Sequence, residues 1–270
     1  MLFNPAATRR KAAAMSAIDP DLLLRAYSIG VFPMADSRRA RDIYWVEPKQ
    51  RGILPLDGFR LSRSLARRIR SGRYRITADR AFEDVVAECA APAANRRDSW
   101  INPAIARAYA ELHRRGHASS IEVWDETHAL VGGLYGVRLG RAFFGESMFS
   151  RAVDASKVAL AHLVARLRVG GFTLLDCQFQ TDHLASLGAI EIAREDYRAL
   201  LDSALGGADP LVASDGGAPA SGDFFAIDRL GAAAATVTVS GPASGCRIAQ
   251  LLGQTSNSGF STALSDGDSL

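Results

Sequence analysis

Phe143-Phe144-Gly145-Glu146-Ser147-Met148-Phe149-Ser150, running on through RAVDASK to Lys157, and then Leu174-Leu175-Asp176-Cys177-Gln178, decide how this chain is read. Each stretch ends an apolar run with an acid: Glu146 follows Ala142-Phe143-Phe144, and Asp176 follows Phe172-Thr173-Leu174-Leu175. A carboxylate at the end of a buried strand is costly unless it has a partner or a task. Between the two acids, Val158, Ala159, His162, Leu163, Ala165 and Leu167 mark the apolar side of a helix. It is expected to run from an N-cap at Asp154 to about Val169, closed by Gly170-Gly171. Strand, helix and strand bring the two acids back side by side. Gln178 alternates onto the strand face of Asp176 and adds an amide that can hold a substrate carbonyl. Spacing alone leaves a second reading open, in which both acids cap the turns that follow them.

Working outward, Ile121–Trp124, the run ALVGGLYGVRLG and Arg141–Met148 read as a three-stranded meander. Asn102-Pro103 starts a helix to Arg115, ended by Gly116, and Ala81–Ala90 reads as another. A strand is expected around Tyr74–Thr77, and Thr181-Asp182-His183 opens a helix ending near Gly188. Meander, helix, strand and helix make a layered α/β domain over residues 59–203. Residues 19–58 form a small front section. It holds a helix capped by Asp19 with Pro20 in its first turn, a break at Phe32-Pro33 and a strand at Ile43–Val46. Residues 1–18 read as an unstructured extension, with Met15 as the expected start. Residues 204–270, which include GGADPLVASDGGAPASG, read as a low-complexity linker and tail.

Hydrophobic content of 48% and charged content of 23% over 270 residues describe an ordinary globular chain, and a net charge of +3 points to no partner. The distribution of charge says more. Arg60 to Arg75 reads RLSRSLARRIRSGRYR, seven arginines without an acid. Since 29 of the 32 basic residues are Arg, base composition explains Arg over Lys but not the clustering. The cluster reads as an anion-binding face with phosphate as its natural partner. Cys89, Cys177 and Cys246 are widely spaced and fit neither a zinc site nor a disulfide framework, which suits a reducing cytosol. No apolar run is long enough to span a bilayer. Cys177 falls on the opposite strand face from Asp176, with no His near it in sequence, and reads as a buried structural thiol. His113 and His117 are separated by Gly116 and lack the Glu of a metalloprotease helix, so no metal is expected. Trp100, on a polar loop, either stacks on a ring such as adenine or anchors the loop.

GESMFS (145–150), ASK (155–157) and DCQ (176–178) fall in order after AYSIGVFP, WVEP, LSRSL, SWI, IEVW and LVGGLYG, and before SLGA. With this set, residues 20 to 200 resemble the leucyl/phenylalanyl-tRNA–protein transferases. The chain departs from the family at Met34, where many members carry Trp, and at Ser119-Ser120, where members often read His-Ser. The resemblance implies a mixed sheet with flanking helices of the Gcn5-related acyltransferase kind. It implies transfer of Leu or Phe, or Met, from aminoacyl-tRNA to the N-terminal Arg or Lys of a protein, which marks that protein for degradation. The enzyme would be a cytoplasmic monomer needing neither cofactor nor metal, because the ester carbon is already activated. Asp176 would hold and deprotonate the incoming α-ammonium, directly or by relay, Gln178 would orient the amine or the carbonyl, and Glu146 would help recognise the cationic acceptor. Leu134, Phe143 and Met148 would line the donor side-chain pocket. Trp100, Arg63, Arg67 and Arg68 would contact the tRNA. An acetyl-CoA-dependent enzyme of the same fold needs a glycine-bearing pyrophosphate loop before the long helix, where this chain reads SMFSRAVDASK. A plain RNA-binding module leaves Glu146, Asp176 and Gln178 without purpose.

Overall fold

In the computed structural model, residues 7–11, 18–92, 98–206, 221–232 and 245–253 are described. The front of the chain gives β1 (Ala7–Lys11), α1 (Pro20–Ser28), β2 (Phe32–Met34), β3 (Tyr44–Pro48) and β4 (Gln50–Ile53). Then come α2 (Arg63–Arg70), β5 (Arg75–Ala78), α3 (Phe82–Ala90) and α4 (Pro103–Arg114). The meander is β6 (Ala118–Trp124), β7 (Leu130–Leu139) and β8 (Ala142–Ser150), followed by α5 (Ala155–Val169) and β9 (Leu174–Gln178). The last elements are α6 (Asp182–Ser186), β10 (Ile190–Ala193), α7 (Arg194–Leu205), α8 (Ala226–Ala232) and α9 (Gly245–Gly253).

The fold is mixed α/β. A seven-stranded sheet runs β10-β4-β9-β8-β7-β6-β5, and a small sheet runs β1-β3-β2. Within the large sheet β8 and β9 are parallel and their neighbours antiparallel, so α5 is the crossover that a parallel pair requires. The β8–β9 register sets Ala142 opposite Leu174, Phe143 opposite Leu175 and Phe144 opposite Asp176, and it stops there. Glu146 and Gln178 stand just past the last pair.

Each face of the sheet has its own core. On one face Leu134, Phe143 and Leu175 pack with Val158 and Leu163 of α5, Leu65 and Ile69 of α2, Phe224, and Ile248 of α9. On the other, Phe144 and Val137 pack with Leu23 and Tyr27 of α1, Val85 of α3, Tyr109 of α4 and Tyr197 of α7. The expected single apolar side of α5 is an understatement: apart from Lys157 it is buried all round from Ala155 to Leu167 because α2, α8 and α9 cover its outer surface.

Several local expectations need correcting. Phe32-Pro33 does not break the chain but forms β2, paired with Val46 and Trp45 of β3. Residues 7–11, inside the expected unstructured extension, run antiparallel to β3 from Ala7 opposite Pro48 to Lys11 opposite Tyr44. Gln50–Ile53, expected in the front section, is a strand of the large sheet between β9 and β10. Asp154 precedes α5 with a left-handed backbone (φ 62°) and no capping bond from its side chain, whose carboxylate lies 3.2 Å from Lys157 and 3.9 Å from Arg68. Asp19 and Asn102 do cap their helices, accepting from Asp21 N and Ile105 N. β10 and α7 carry no clear signal in the sequence. The expected start at Met15 and the core of the expected linker, residues 207–220, lie outside the described residues.

Candidate active site

Asp176 ends the apolar run of β9 and is fully buried. Its charge has a partner distant in sequence but adjacent in space. β4 lies beside β9, and Arg51 reaches across with Nε 2.9 Å from Oδ1 and Nη2 2.5 Å from Oδ2. Tyr197 of α7 donates its hydroxyl to Oδ2 at 2.9 Å, and the Gln178 backbone N–H donates to Oδ1 at 2.8 Å. The guanidinium lies between two rings, 4.8 Å from the centroid of Phe32 and 4.5 Å from that of Tyr197, and its Nη1 donates to Gly30 O at 2.8 Å. Burial works against the cation, but Asp176 and Tyr197 outweigh it and hold Arg51 above its usual range.

Gln178 has a left-handed backbone, φ 57°, a conformation that costs a non-glycine residue energy unless its surroundings fix it. Its bond to Asp176 is one fixture. Gly52 is another: a Cβ there would lie 2.6 Å from Phe179 C and Gln180 N, so only glycine lets β4 follow the turning chain. The turn aims the Gln178 side chain at Glu146, where Nε2 donates to Oε1 at 3.2 Å.

Glu146 is held quite differently. Tyr27 of α1 and Tyr109 of α4 approach its two oxygens at 2.7 Å each, and the two hydroxyls are 2.6 Å from one another. In the ionised state both hydroxyls donate to Glu146, and their mutual contact lacks a hydrogen. A proton on Glu146 closes the ring of three bonds. Burial pushes Glu146 up to about 7, with the two tyrosines pulling the other way.

The structure therefore brings Glu146, Asp176 and Gln178 together, the backbone N–H of Gln178 on Asp176 and its side-chain amide on Glu146. Leu134, Phe143 and Met148 lie on the α5 side of the sheet. Leu134 is opposite Met148 across β7 and β8, and Phe143 stacks on Phe224 with centroids 5.8 Å apart. Trp100 is half-buried against the cluster on the other face. Arg63 and Arg67 are exposed on α2, whose opposite side buries Leu65, Ala66 and Ile69, and Arg68 is half-buried beside Asp154. Cys177 is buried on the far face from Asp176, its thiol pushed up by burial. Among the described residues no group of three or more His, Cys, Asp or Glu is placed to hold a metal ion.

Sequence reasoning missed Arg51, Tyr27, Tyr109 and Tyr197. The one available signal was Arg51 at the head of the apolar run Gly52-Ile53-Leu54, the same strand-end pattern that singled out the acids.

Comparison with known proteins gives one answer. The family described as leucyl/phenylalanyl-tRNA protein transferase matches residues 53–202, and the N-terminal domain of the same family matches residues 16–49. A leucyl/phenylalanyl-tRNA–protein transferase of Rhizorhabdus wittichii is 71% identical over 253 residues, covering 90% of this chain and all of that one. One of Zymomonas mobilis is 66% identical over 188 residues, 70% of each chain. Among solved structures, L-PGS from Bacillus licheniformis aligns with a TM-score of 0.35 at 13% identity, over 60% of this chain and 53% of that one. The two family matches leave only residues 50–52 of β4 between them, and together they show that the chain belongs to the leucyl/phenylalanyl-tRNA–protein transferase family.

Proposed function

We propose that this aminoacyltransferase forms its peptide bond at Gln178, moving Leu, Phe or Met from an aminoacyl-tRNA onto the N-terminal Arg or Lys of a protein. The observation that carries the assignment is Gln178 tied to two buried carboxyls where β8 and β9 stop pairing, its backbone N–H to Asp176 and its side-chain amide to Glu146. The donor ester is already activated, so the reaction needs positioning, a neutral α-amine and a stabilised oxyanion. With Nε2 engaged by Glu146, the Gln178 carbonyl is the group turned to the acceptor amine. Asp176 has its oxygens filled by Arg51, Tyr197 and Gln178, which favours the relayed over the direct form of its role. Glu146, bonded to Tyr27, Tyr109 and Gln178, acts on the acceptor through the same amide. Leu134, Phe143 and Met148, on the α5 side of the sheet, form the donor pocket in this reading.

The finer fold assignment belongs to the same proposal. The β6–β7–β8 meander, α5, β9 and α6 follow the order of the Gcn5-related acyltransferases, with a front domain that ends before β4 and a catalytic domain that takes in β4, runs to the end of α7 and is covered by α8 and α9. We place the protein in the cytoplasm as a monomer, with degradation as the fate of its products. No helix among the described residues is long and apolar enough to cross a membrane.

Label moving from Leu- or Phe-charged tRNA to a peptide beginning with Arg, without coenzyme A or added metal, is the expected result. No transfer would reject the assignment. On the tRNA side, α2 carries Arg63, Arg67 and Arg68 along one flank, and no carboxylate pairs with Arg63 or Arg67 among the described residues. Replacing all three by Gln should weaken binding of charged tRNA and flatten its dependence on salt, by about 0.7–0.9 in log–log slope for each phosphate no longer neutralised. An unchanged slope would move the tRNA elsewhere. Trp100 remains the proposed stacking partner for adenine.

A further inference from the structure

We propose that Arg51 is a positioning residue for the transfer: by gripping Asp176 it fixes the carboxylate that holds Gln178 in its left-handed conformation. The inference rests on the reading of Gln178 as the group that meets the acceptor amine. Arg51 is 1% exposed, and each nitrogen of its guanidinium has an assigned oxygen, two on Asp176 and one on Gly30. Burying such a pair adds little stability over apolar packing of the same volume, because both ions lose their water. What the pair does supply is direction. Asp176 Oδ1 receives Arg51 Nε on one side and the Gln178 backbone N–H on the other, so a single oxygen couples the guanidinium to the residue whose φ is 57°. A small misplacement of a reacting group is enough to slow a reaction by about 10²-fold.

The third arm extends the coupling to the front section. Gly30 has φ 79°, and the space a Cβ would take there lies 2.9 Å from a ring carbon of Tyr197. Glycine at 30 thus lets the carbonyl, the guanidinium and the Tyr197 ring converge. Docking of α1 and β2 then becomes a condition for ordering Asp176, although the front section itself supplies no group to the bond-forming step. The other titratable groups around the pair are Tyr197 from α7, Glu146 from β8, Tyr27 from α1 and Cys177 on β9 itself.

The test is a cycle of Arg51→Met, Asp176→Asn and the double variant, with Arg51→Lys and Gln178→Ala beside it. Steady-state transfer from Leu-charged tRNA to an Arg-starting peptide is measured across pH. Arg51→Met fills the same volume without charge. It is expected to lower kcat by about 10²-fold while KM for charged tRNA stays within about twofold. The buried carboxylate then lacks its counter-charge, so the pH profile of the residual activity should differ in shape from the parent's. The double variant should be no slower than Asp176→Asn, because Arg51 acts through Asp176. Arg51→Lys, which keeps the charge without the fork, should recover part of the loss. The inference is overturned if Arg51→Met is fully active, if the two losses multiply in the double variant, or if Arg51→Lys is no better than Arg51→Met. Should Arg51→Met fail to fold, a double variant slower than Asp176→Asn, or an Arg51→Lys as active as the parent, overturns the inference. Full activity of Gln178→Ala would instead overturn the underlying reading of the site.

Discussion

Asp176 and Glu146 stand on adjacent strands, both buried and both bonded to Gln178, yet they are held in opposite ways. Asp176 takes two arms of a guanidinium, a tyrosine hydroxyl and a backbone N–H. Glu146 has neutral contacts alone: two tyrosine hydroxyls that also touch each other, and an amide. One carboxyl has its charge answered at contact. The other has lost its water, and that burial raises it although two tyrosine hydroxyls pull it back down. Equal burial leaves the two carboxyls in different surroundings: a guanidinium answers Asp176, while among the described residues no cation contacts Glu146 and burial favours its protonated form.

Changing each acid to its amide should separate the two. Asp176→Asn leaves Arg51 buried without a counter-charge, and we expect the largest effect there. Turnover should fall by about 10²–10⁴, and stability by about 3–5 kcal/mol, while charged-tRNA binding survives. Single-turnover kinetics and urea denaturation read both, and near-normal turnover would break the contrast. Glu146→Gln should act in the other direction above neutral pH. A carboxyl whose folded-state value is raised from 4.5 to about 7 holds its proton more tightly folded than unfolded. The Glu146 contribution to parent stability is then fully present below about pH 4.5, declines as pH rises towards 7, and is lost above it. That contribution is roughly 3 kcal/mol, and Glu146→Gln should not show the decline. Parallel stability curves for the two proteins between about pH 5 and 8 would show that Glu146 ionises normally. The smallest effect should come from Tyr109→Phe, which removes one hydroxyl from the ring. It should cost about 1 kcal/mol and move the Glu146 titration, read from the same curves, further up, because Tyr109 pulls it down.

What the sequence revealed of this contrast was its acids and not their partners. Glu146 and Asp176 stood out because each closes an apolar run, and Gln178 followed from strand alternation. The tyrosines gave no such signal. Tyr27, Tyr109 and Tyr197 lie on the inner faces of α1, α4 and α7, where a buried tyrosine reads as core. Arg51 was hidden among 29 arginines, and its strand escaped notice because Gly52, which only the close approach to Phe179 explains, weakens any strand pattern. The meander, α5 and β9 were legible because their periodicities are long and bounded by glycine. β1 and β2 were not, since three to five residues beside proline or within a basic run carry no period. The left-handed turn at Gln178 is a tertiary outcome, imposed by β4 and Asp176 on a residue with no local preference for it.

The docking of α8 and α9 has a consequence for synthesis. Arg166 grips Asp228 and the Phe224 carbonyl, and Arg168 reaches the carbonyls of both Leu56 and Leu251. Phe224 and Ile248 thereby cover apolar surface that Phe143, Ile69 and α5 offer long before the ribosome has made residues 221–253. A nascent chain that already holds all the residues of its catalytic strands still displays an open greasy flank, and late translation is when it most needs a chaperone's cover.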